Sequence, residues 1–188
     1  MKWNRKFVYP KSIRSTENGI RRYLIGEKKL PSVTSILDAT KSEEDKAALA
    51  NWVERTGLKE SEAIVKAASN RGSKMHAYLE SFLLGQQNLS FFDDNEQYKI
   101  MAKQIIEKGL INRFEEVWGV ECTLYKPDSY SGTCDAVGVY DGRESIIDFK
   151  QSNKPKKFEY IDSWLLQTAA YSLAHNTVYN SNITACVI

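Results

Sequence analysis

The amino-acid sequence predicts an α/β protein in α+β order, with a helical N-terminal half followed by a mixed central β-sheet and one crossover helix. Between residues 43 and 116, apolar residues recur with a period near 3.6, which is typical of amphipathic helices. The period then falls to 2, which is typical of strands, in the segments 117–125, 131–140 and 144–150. A helical pattern over 158–175 precedes an apolar segment at 182–188. A crossover of that length implies that the last strand pairs in parallel.

The length and composition are those of an ordinary folded domain. A chain of 188 residues fits one domain, so we expect a single domain over 1–188, with a mainly helical region at 1–116 and the sheet at 117–188. The 42% hydrophobic and 27% charged residues argue against wholesale disorder. The net charge of +2 does not by itself indicate nucleic-acid binding. No apolar run approaches the ~20 residues that span a bilayer, so we expect no membrane association.

The cysteines and the N-terminal segment bear on the cellular compartment. The three cysteines form no CxxC pair, and an odd number favours free thiols in a reducing compartment. The first 16 residues hold five basic residues and no acid, a weak match to a mitochondrial transit peptide. Aromatic residues among those charges favour an ordered strand or arm instead. We therefore expect a cytoplasmic location, with the mitochondrial matrix as the alternative.

The remaining elements follow in chain order. Two short alternating stretches at 20–30 precede a short helix, with Ser32 or Thr34 as its N-cap. Longer helices are predicted over 43–56, 59–84 and 95–116, the second with a weak point at 70–72. The helix at 158–175 has two stripes, an apolar core stripe and a second one with polar tips at Tyr160, Trp164, Gln167 and Tyr171. The predicted core stripe consists of Ile161, Leu165, Ala169 and Leu173, and His175 is predicted to interact favourably with the C-terminal end.

A tight β-turn sets the register of the second and third strands of the 117–150 region. Asp141-Gly142 between two strand-like segments predicts a two-residue hairpin with a type I′ turn. Residues opposite each other in such a hairpin have numbers that sum to 283, so Asp135 is predicted to lie opposite Asp148. Lys150 is two residues further along and is predicted to lie on the same face.

Two opposed carboxylates among apolar neighbours indicate a cation site. They repel each other, and burial raises the cost of their charge. A divalent cation relieves both costs, and oxygen ligands suit Mg²⁺ or Mn²⁺. Lys150 would then stabilise negative charge on a phosphate or help to activate a water molecule. The spacing alone leaves an alternative open, in which Asp135 pairs with Lys150 in a salt bridge and Asp148 caps another element.

Five segments in a fixed order resemble the PD-(D/E)XK nuclease superfamily, RecB-like exonuclease branch, in its mitochondrial and phage members. The segments are LPSVTSIL at 30–37, ASNRGSKMH at 68–76, YSGTCD at 130–135, IIDFKQSNKPK at 146–156 and QTAAY at 167–171. A single Asp-x-Lys match would be weak, whereas five ordered segments are specific. The resemblance implies a restriction-endonuclease-like core and a metal-dependent DNA exonuclease.

The resemblance also implies the roles of individual residues. Asp135 and Asp148 match the metal ligands, Lys150 the catalytic lysine, and His76 the histidine that also reaches the metal. Gln167 and Tyr171 match the QxxxY motif, which lines the site and the DNA path. The family often has Thr after the lysine, where this chain has Gln151, and we expect little effect on the chemistry. The family pattern also continues into another strand and a helix, so the sequence leaves open whether 182–188 closes the fold.

Further residues are candidates for the metal site and for DNA binding. Alternation places Glu121 on the strand face opposite Val120 and Cys122. If that face meets Asp135, Glu121 is a third acid at the metal; otherwise it is solvated. Basic clusters at 21–29, 71–74 and 154–157 would guide a phosphate backbone. The predicted DNA contacts are Arg71, Lys74, Ser32, Thr34, Lys154 and Lys156, with Trp164 as a ring on which bases stack.

The sequence therefore predicts a metal-dependent DNA exonuclease that uses Mg²⁺ or Mn²⁺ and prefers single-stranded DNA ends without sequence preference. It would act in DNA replication, recombination, repair or phage DNA metabolism, with a monomer favoured. We hypothesise that residues 43–116 form an arch or lid over the DNA. Two alternatives remain: an endonuclease or double-strand resecting nuclease of the same fold, and a non-catalytic DNA-binding subunit. The absence of a fourth cysteine argues against an iron–sulfur nuclease.

Overall fold

A computed structural model describes residues 1–86, 96–153 and 155–188. Lys154, one of the predicted DNA contacts, lies outside the described residues. The described part forms eight strands and five α-helices. The strands are β1 (Lys2–Trp3), β2 (Ile13–Glu17), β3 (Ile20–Ile25), β4 (Lys28–Pro31), β5 (Phe114–Lys126), β6 (Tyr130–Tyr140), β7 (Arg143–Ile147) and β8 (Ala185–Val187). The helices are α1 (Val33–Ala39), α2 (Glu43–Thr56), α3 (Leu58–Leu83), α4 (Gln97–Ile105) and α5 (Asp162–Tyr179).

The central sheet is mixed, as predicted. Its five strands have the order β1-β5-β6-β7-β8. The β5–β6–β7 meander is antiparallel, whereas β1 pairs in parallel with β5 and β8 pairs in parallel with β7. The parallel pairing of β8 after α5 confirms the crossover predicted from the sequence. A separate three-stranded antiparallel sheet has the order β2-β3-β4.

The predicted helical N-terminal half is only partly correct. Four strands, β1 to β4, precede the first helix. The prediction of α2 over 43–56 is confirmed, and α3 runs without a break through 70–72. The third helix ends earlier than predicted: α4 stops at Ile105, a π-helical turn covers Ile106–Leu110, and β5 begins at Phe114. The helical path ends at Ile111, which is extended with φ −62° and ψ 130°, and Asn112 then takes a left-handed φ of 65°.

Two apolar clusters surround the central sheet. One joins α3 and α4 to the sheet through Met75, Leu79 and Phe114, all essentially inaccessible. The other joins α1 and α5 to the sheet through Val33, Trp118 and Tyr171 and others. Helices thus cover the sheet, with α3 and α5 packed against it in different clusters. Of the helices described, none is long and apolar enough to cross a membrane.

The buried face of α5 is not the face that hydrophobicity predicted. Ala169 and Leu173 of the predicted core stripe are exposed, whereas a largely polar face is buried. That face consists of Gln167, Thr168, Tyr171, Ser172, Ala174 and His175. It is tolerated because its polar groups find hydrogen bonds, such as Ser172 Oγ to the Ile183 carbonyl.

His175 is a buried core residue and not a charged helix cap as predicted. Its Nε2 lies 3.1 Å from the Tyr9 hydroxyl, and its Nδ1 lies 2.7 Å from Ser181 Oγ. Because burial disfavours the charged imidazolium, the pKa of His175 is lowered to about 4. The neutral ring therefore joins the N-terminal segment to α5 through hydrogen bonds.

Candidate active site

The β6–β7 hairpin has the predicted turn and register. Asp141 and Gly142 have φ angles of 45° and 71°, the two positive values of a type I′ turn. The ladder runs from Tyr140↔Arg143 to Ala136↔Ile147, with every pair summing to 283. Asp135 and Asp148 occupy the next position of this register, and both are buried. The turn therefore brings two acids together at the end of the hairpin.

The segment from Asp148 to Lys150 is less regular than predicted. Strand β7 ends at Ile147, so Asp148 to Lys150 lie beyond the ladder. The backbone N–H of Asp148 still donates to the Val187 carbonyl (3.0 Å), and the Phe149 N–H donates to Asp135 Oδ2. These two bonds fix the segment between β8 and the Asp135 carboxylate.

Three side chains from three elements converge into a candidate metal centre. His76 comes from α3, Glu121 from β5 and Asp135 from β6, and each offers one ligand atom such that all three lie within 4.8 Å of one another. His76 Nδ1 lies 2.8 Å from Asp135 Oδ1. Of the predicted ligands, Asp148 is not in this close set, although it lines the same cleft. Of the two alternatives for Glu121, its grouping with Asp135 corresponds to the one in which their two faces meet.

An unusual backbone conformation aims Glu121 at the site. Glu121 lies between the pairs Val120↔Ala136 and Cys122↔Cys134, which places it across from Asp135. Its φ of 49° is in the left-handed region, which is rare for glutamate and uncommon inside a strand. Such strain is concentrated at functional sites, where the surrounding structure maintains it.

Lys150 is held between an acid and an amide. Its Nζ donates to Gln167 Oε1 (3.0 Å) and forms an ion pair with Asp148 Oδ2. Gln167 Nε2 in turn donates to Asp148 Oδ1 and to the Tyr171 hydroxyl, both at 3.1 Å. The partner of Lys150 is therefore Asp148, and the alternative Asp135–Lys150 salt bridge is wrong. The predicted contact of the QxxxY residues with the lysine is made through Gln167.

A glycine allows Tyr171 to approach β6. A Cβ atom on Gly132 would lie 2.6 Å from Tyr171 Cε1 and 2.7 Å from its hydroxyl oxygen, far inside normal contact. Tyr171 is buried against this glycine. Gly132 thus sets the position of the Tyr171 hydroxyl, which holds the Gln167 amide.

The charges at the site shift the pKa values of its acids and of its imidazole. Burial and the neighbouring Asp135 raise the pKa of Asp148, although Lys150 opposes this. Partial enclosure and the negative charges of Asp135 and Glu80 raise the pKa of Glu121 to about 7, even though part of its side chain reaches solvent. Burial works against protonation of His76, but Asp135 outweighs it, and the pKa of His76 is raised. The site thus concentrates negative charge that a cation would stabilise.

The residues present fit a divalent metal ion. The close set offers two carboxylates and one imidazole, donors that suit Mn²⁺ and, through the carboxylates, Mg²⁺. Asp148 Oδ2 is a buried oxygen that lies against the lysine ammonium but accepts no well-aligned hydrogen bond from the described residues. A buried carboxylate oxygen left in this way is costly unless another group binds it.

The predicted DNA contacts divide into those inside and those outside the cleft. The cleft has a volume of about 390 Å³, and Ser32 and Thr34 line it with the acids and Lys150. The Ser32 hydroxyl is buried and accepts the Ser35 N–H as the N-cap of α1. The other predicted contacts within the described residues, Arg71, Lys74, Lys156 and Trp164, are not among the residues that line the cleft.

Arg71 joins α3 to the loop after Lys150. Its guanidinium donates to the amide oxygens of Gln151 (2.8 Å) and Asn153 (2.6 Å), and Gln151 Nε2 donates to the Ala68 carbonyl (3.1 Å). Gln151, expected to have little effect, therefore connects the helix that bears His76 to the segment that bears Lys150. Lys74, on the same helix, pairs with Glu96 instead of facing the cleft.

Sequence reasoning placed Arg21 in a basic cluster near the site but missed Arg14 and Tyr23 of the small N-terminal sheet. Arg14, Arg21 and Tyr23 line the cleft from β2 and β3. The missed signal is Asn18-Gly19, whose φ angles of 51° and 78° form a second tight turn. That turn pairs Arg14 with Tyr23 and so places both on one face.

Comparison with known proteins gives the following relatives. No protein-family model matches the sequence. The mitochondrial genome maintenance exonuclease 1 of Homo sapiens is 29% identical over 172 residues, which cover 85% of this chain and 48% of the human protein. The Mus musculus protein of the same name is 31% identical over 132 residues, 68% of this chain and 38% of the mouse protein. The chain thus spans about half or less of the relatives that it matches, and over most of its length it is similar to mitochondrial genome maintenance exonuclease 1.

Proposed function

We propose that this chain is the catalytic part of a metal-dependent DNA exonuclease. The observation that supports this most is the convergence of His76, Glu121 and Asp135 next to the Asp148–Lys150–Gln167 network in one open cleft. The names of the human and mouse relatives supply the substrate and the mode of action: an exonuclease that maintains a genome. Those names also favour the mitochondrial alternative for its location.

We propose that Mg²⁺ or Mn²⁺ binds to His76, Glu121 and Asp135. Asp148 lines the same cleft and is a further carboxylate beside this set. When bound, such an ion supplies a Lewis acid for a phosphate oxygen and lowers the pKa of a coordinated water. The raised pKa of Glu121 indicates the energetic reason for binding, since a cation removes the repulsion between Glu121 and Asp135.

The lysine would stabilise the charge that develops on the phosphate. Lys150 projects into the cleft and is restrained at two points, by Asp148 and by Gln167 Oε1. A restrained ammonium needs little reorganisation when the phosphate becomes more negative, which is how preorganised groups lower activation barriers. Tyr171 and Gly132 then act indirectly, by fixing Gln167.

Single-stranded ends are the proposed substrate. A cleft of about 390 Å³ is in the range that takes one small ligand, which favours a single nucleotide unit over a duplex segment at the metal. No base-specific contact is needed for such a site. We therefore expect sequence-independent binding with a steep salt dependence.

End-labelled DNA tests the proposal. Purified protein is incubated with labelled single strands, duplexes and covalently closed circles, with Mg²⁺, Mn²⁺ or EDTA. We expect metal-dependent degradation of single strands, whereas the circles should remain intact. Lys150→Ala should abolish cleavage but retain DNA binding. Cleavage of circles would indicate an endonuclease. Binding by the wild-type protein without cleavage under any metal would indicate a DNA-binding subunit.

A further inference from the structure

The β2–β3 hairpin presents two arginines to the cleft. Arg14 pairs with Tyr23 and Thr16 pairs with Arg21, and residues opposite each other in an antiparallel pair project to the same face. Tyr23 is buried and anchors this face, while Arg14 and Arg21 are exposed and line the cleft that contains Asp135 and Lys150. The hairpin is thus a wall of the cleft facing the acids.

The two arginines differ from the two lysines of the small sheet. Lys28 and Lys29 form ion pairs with Asp128 and Glu17. Within the described part of the chain, no acid forms an ion pair with Arg14 or Arg21. Two uncompensated guanidinium groups beside a cluster of carboxylates point to an anionic ligand, because arginine binds phosphate oxygens in a two-pronged manner.

The backbone of Arg21 is fixed before any ligand arrives. Its N–H donates to Ser35 Oγ (3.0 Å), and its carbonyl accepts the Ser32 N–H (2.9 Å). These bonds join β3 to the start of α1, so the base of the side chain is held in place. A positioned arginine loses less conformational freedom on binding than one on a mobile loop.

We propose that Arg14 and Arg21 form a second phosphate-binding subsite, which holds the backbone phosphate next to the one being cleaved. This inference rests on the proposed function, because it takes the metal centre as the site of the scissile phosphate. The enzyme would then require a strand with at least two consecutive phosphates and would cleave isolated phosphodiesters poorly.

Oligonucleotides with one neutral linkage test this proposal. A methylphosphonate replaces the charged phosphate on either side of the preferred cleavage position. For the wild-type protein, one of the two placements should raise KM at least ~10-fold. The double variant Arg14→Gln/Arg21→Gln should raise KM by a similar factor on the natural strand, with kcat little changed, and should show no further loss on the neutral linkage. If the neutral linkage raises KM in the double variant by the same factor as in the wild-type protein, the subsite proposal is wrong.

Arg143→Gln is the matched control. Arg143 is an exposed arginine in the other antiparallel hairpin, where it pairs with Tyr140 beside the turn, and it does not line the cleft. It should leave KM unchanged, and an equal effect of this variant would mean that only general surface charge matters. Thermal melting confirms that each variant is folded.

A binding assay separates this inference from the proposed function. The dissociation constant of the natural and neutral-linkage strands is measured in the Lys150→Ala background, without cleavage. If the wild-type protein cleaves no DNA but the arginine pair still discriminates the charged linkage, the nuclease proposal fails and the arginines are a phosphate contact of a DNA-binding protein. If cleavage occurs and the pair shows no discrimination in either assay, the subsite is wrong and the nuclease proposal stands.

Discussion

His76 Nδ1 lies 2.8 Å from Asp135 Oδ1, so the long helix α3 and the strand β6 meet at one pair of side chains. The two residues are 59 positions apart in the sequence. Their contact brings an imidazole to two carboxylates, and this combination distinguishes the cleft from an ordinary acidic surface.

Asp135→Asn should remove metal binding while the fold survives. The amide keeps the shape and can still meet His76, but it is a poor ligand for Mg²⁺ or Mn²⁺. Since even residues that only orient a ligand affect metal affinity by ~10–100-fold, we expect the Mn²⁺ affinity to fall by more than ~100-fold. Isothermal titration with Mn²⁺ measures this. Asp141→Asn, in the exposed turn of the same hairpin, is the control and should bind Mn²⁺ normally.

Gln167→Leu should lower kcat and leave DNA binding nearly unchanged. The amide touches both Lys150 and Asp148, so its loss frees the ammonium to adopt other positions. A hydrogen bond to a charged group is worth ~1.5–3 kcal/mol, which corresponds to a ~10–100-fold loss. Single-turnover cleavage measures the rate. An unchanged rate would show that Gln167 has no part in positioning the lysine.

Gly132→Ala should destabilise the protein by ~1–3 kcal/mol, because its Cβ would overlap the Tyr171 ring. Urea unfolding measures the change. Gly109→Ala is the matched control, since its Cβ would meet its nearest neighbour at an ordinary 3.9 Å. A double-mutant cycle with Tyr171→Leu should recover part of the loss. No coupling between the two positions would contradict the proposed close approach.

His175 should make the free energy of unfolding depend on pH in the acid range. Its pKa is about 4 in the folded protein and 6.5 in the unfolded chain, so the unfolded state binds the extra proton first. The contribution to stability is complete above pH 6.5 and is lost as the pH falls towards 4, at no more than ~1.4 kcal/mol per pH unit. Urea unfolding between pH 4 and 7 measures the slope. His175→Gln, which titrates no proton, should show a shallower slope.

The sequence predicts the parts of this site that depend on local chemistry. Asp141-Gly142 determines a turn, the turn determines a register, and the register brings Asp135 next to Asp148. Gln167 contacts Lys150 and Tyr171, and both QxxxY residues line the cleft. Such inferences succeed because a two-residue loop leaves one pairing of the strands.

The rest could not be predicted because it depends on long-range packing. The buried polar face of α5 is stable only because Ser172, Thr168 and His175 find partners, some of them far away in the sequence. The engagement of Arg71 by Gln151 and Asn153 requires α3 and the loop after Lys150 to be adjacent. The arginines of β2 and β3 were foreseeable only in part, from Asn18-Gly19.

The most direct test of the central claim is a crystal of the protein soaked in Mn²⁺, with anomalous diffraction recorded. We predict a strong anomalous peak within coordination distance of His76, Glu121 and Asp135, beside Lys150. A well-diffracting soaked crystal with no peak in this cleft, or with its peak at other residues, would contradict the account.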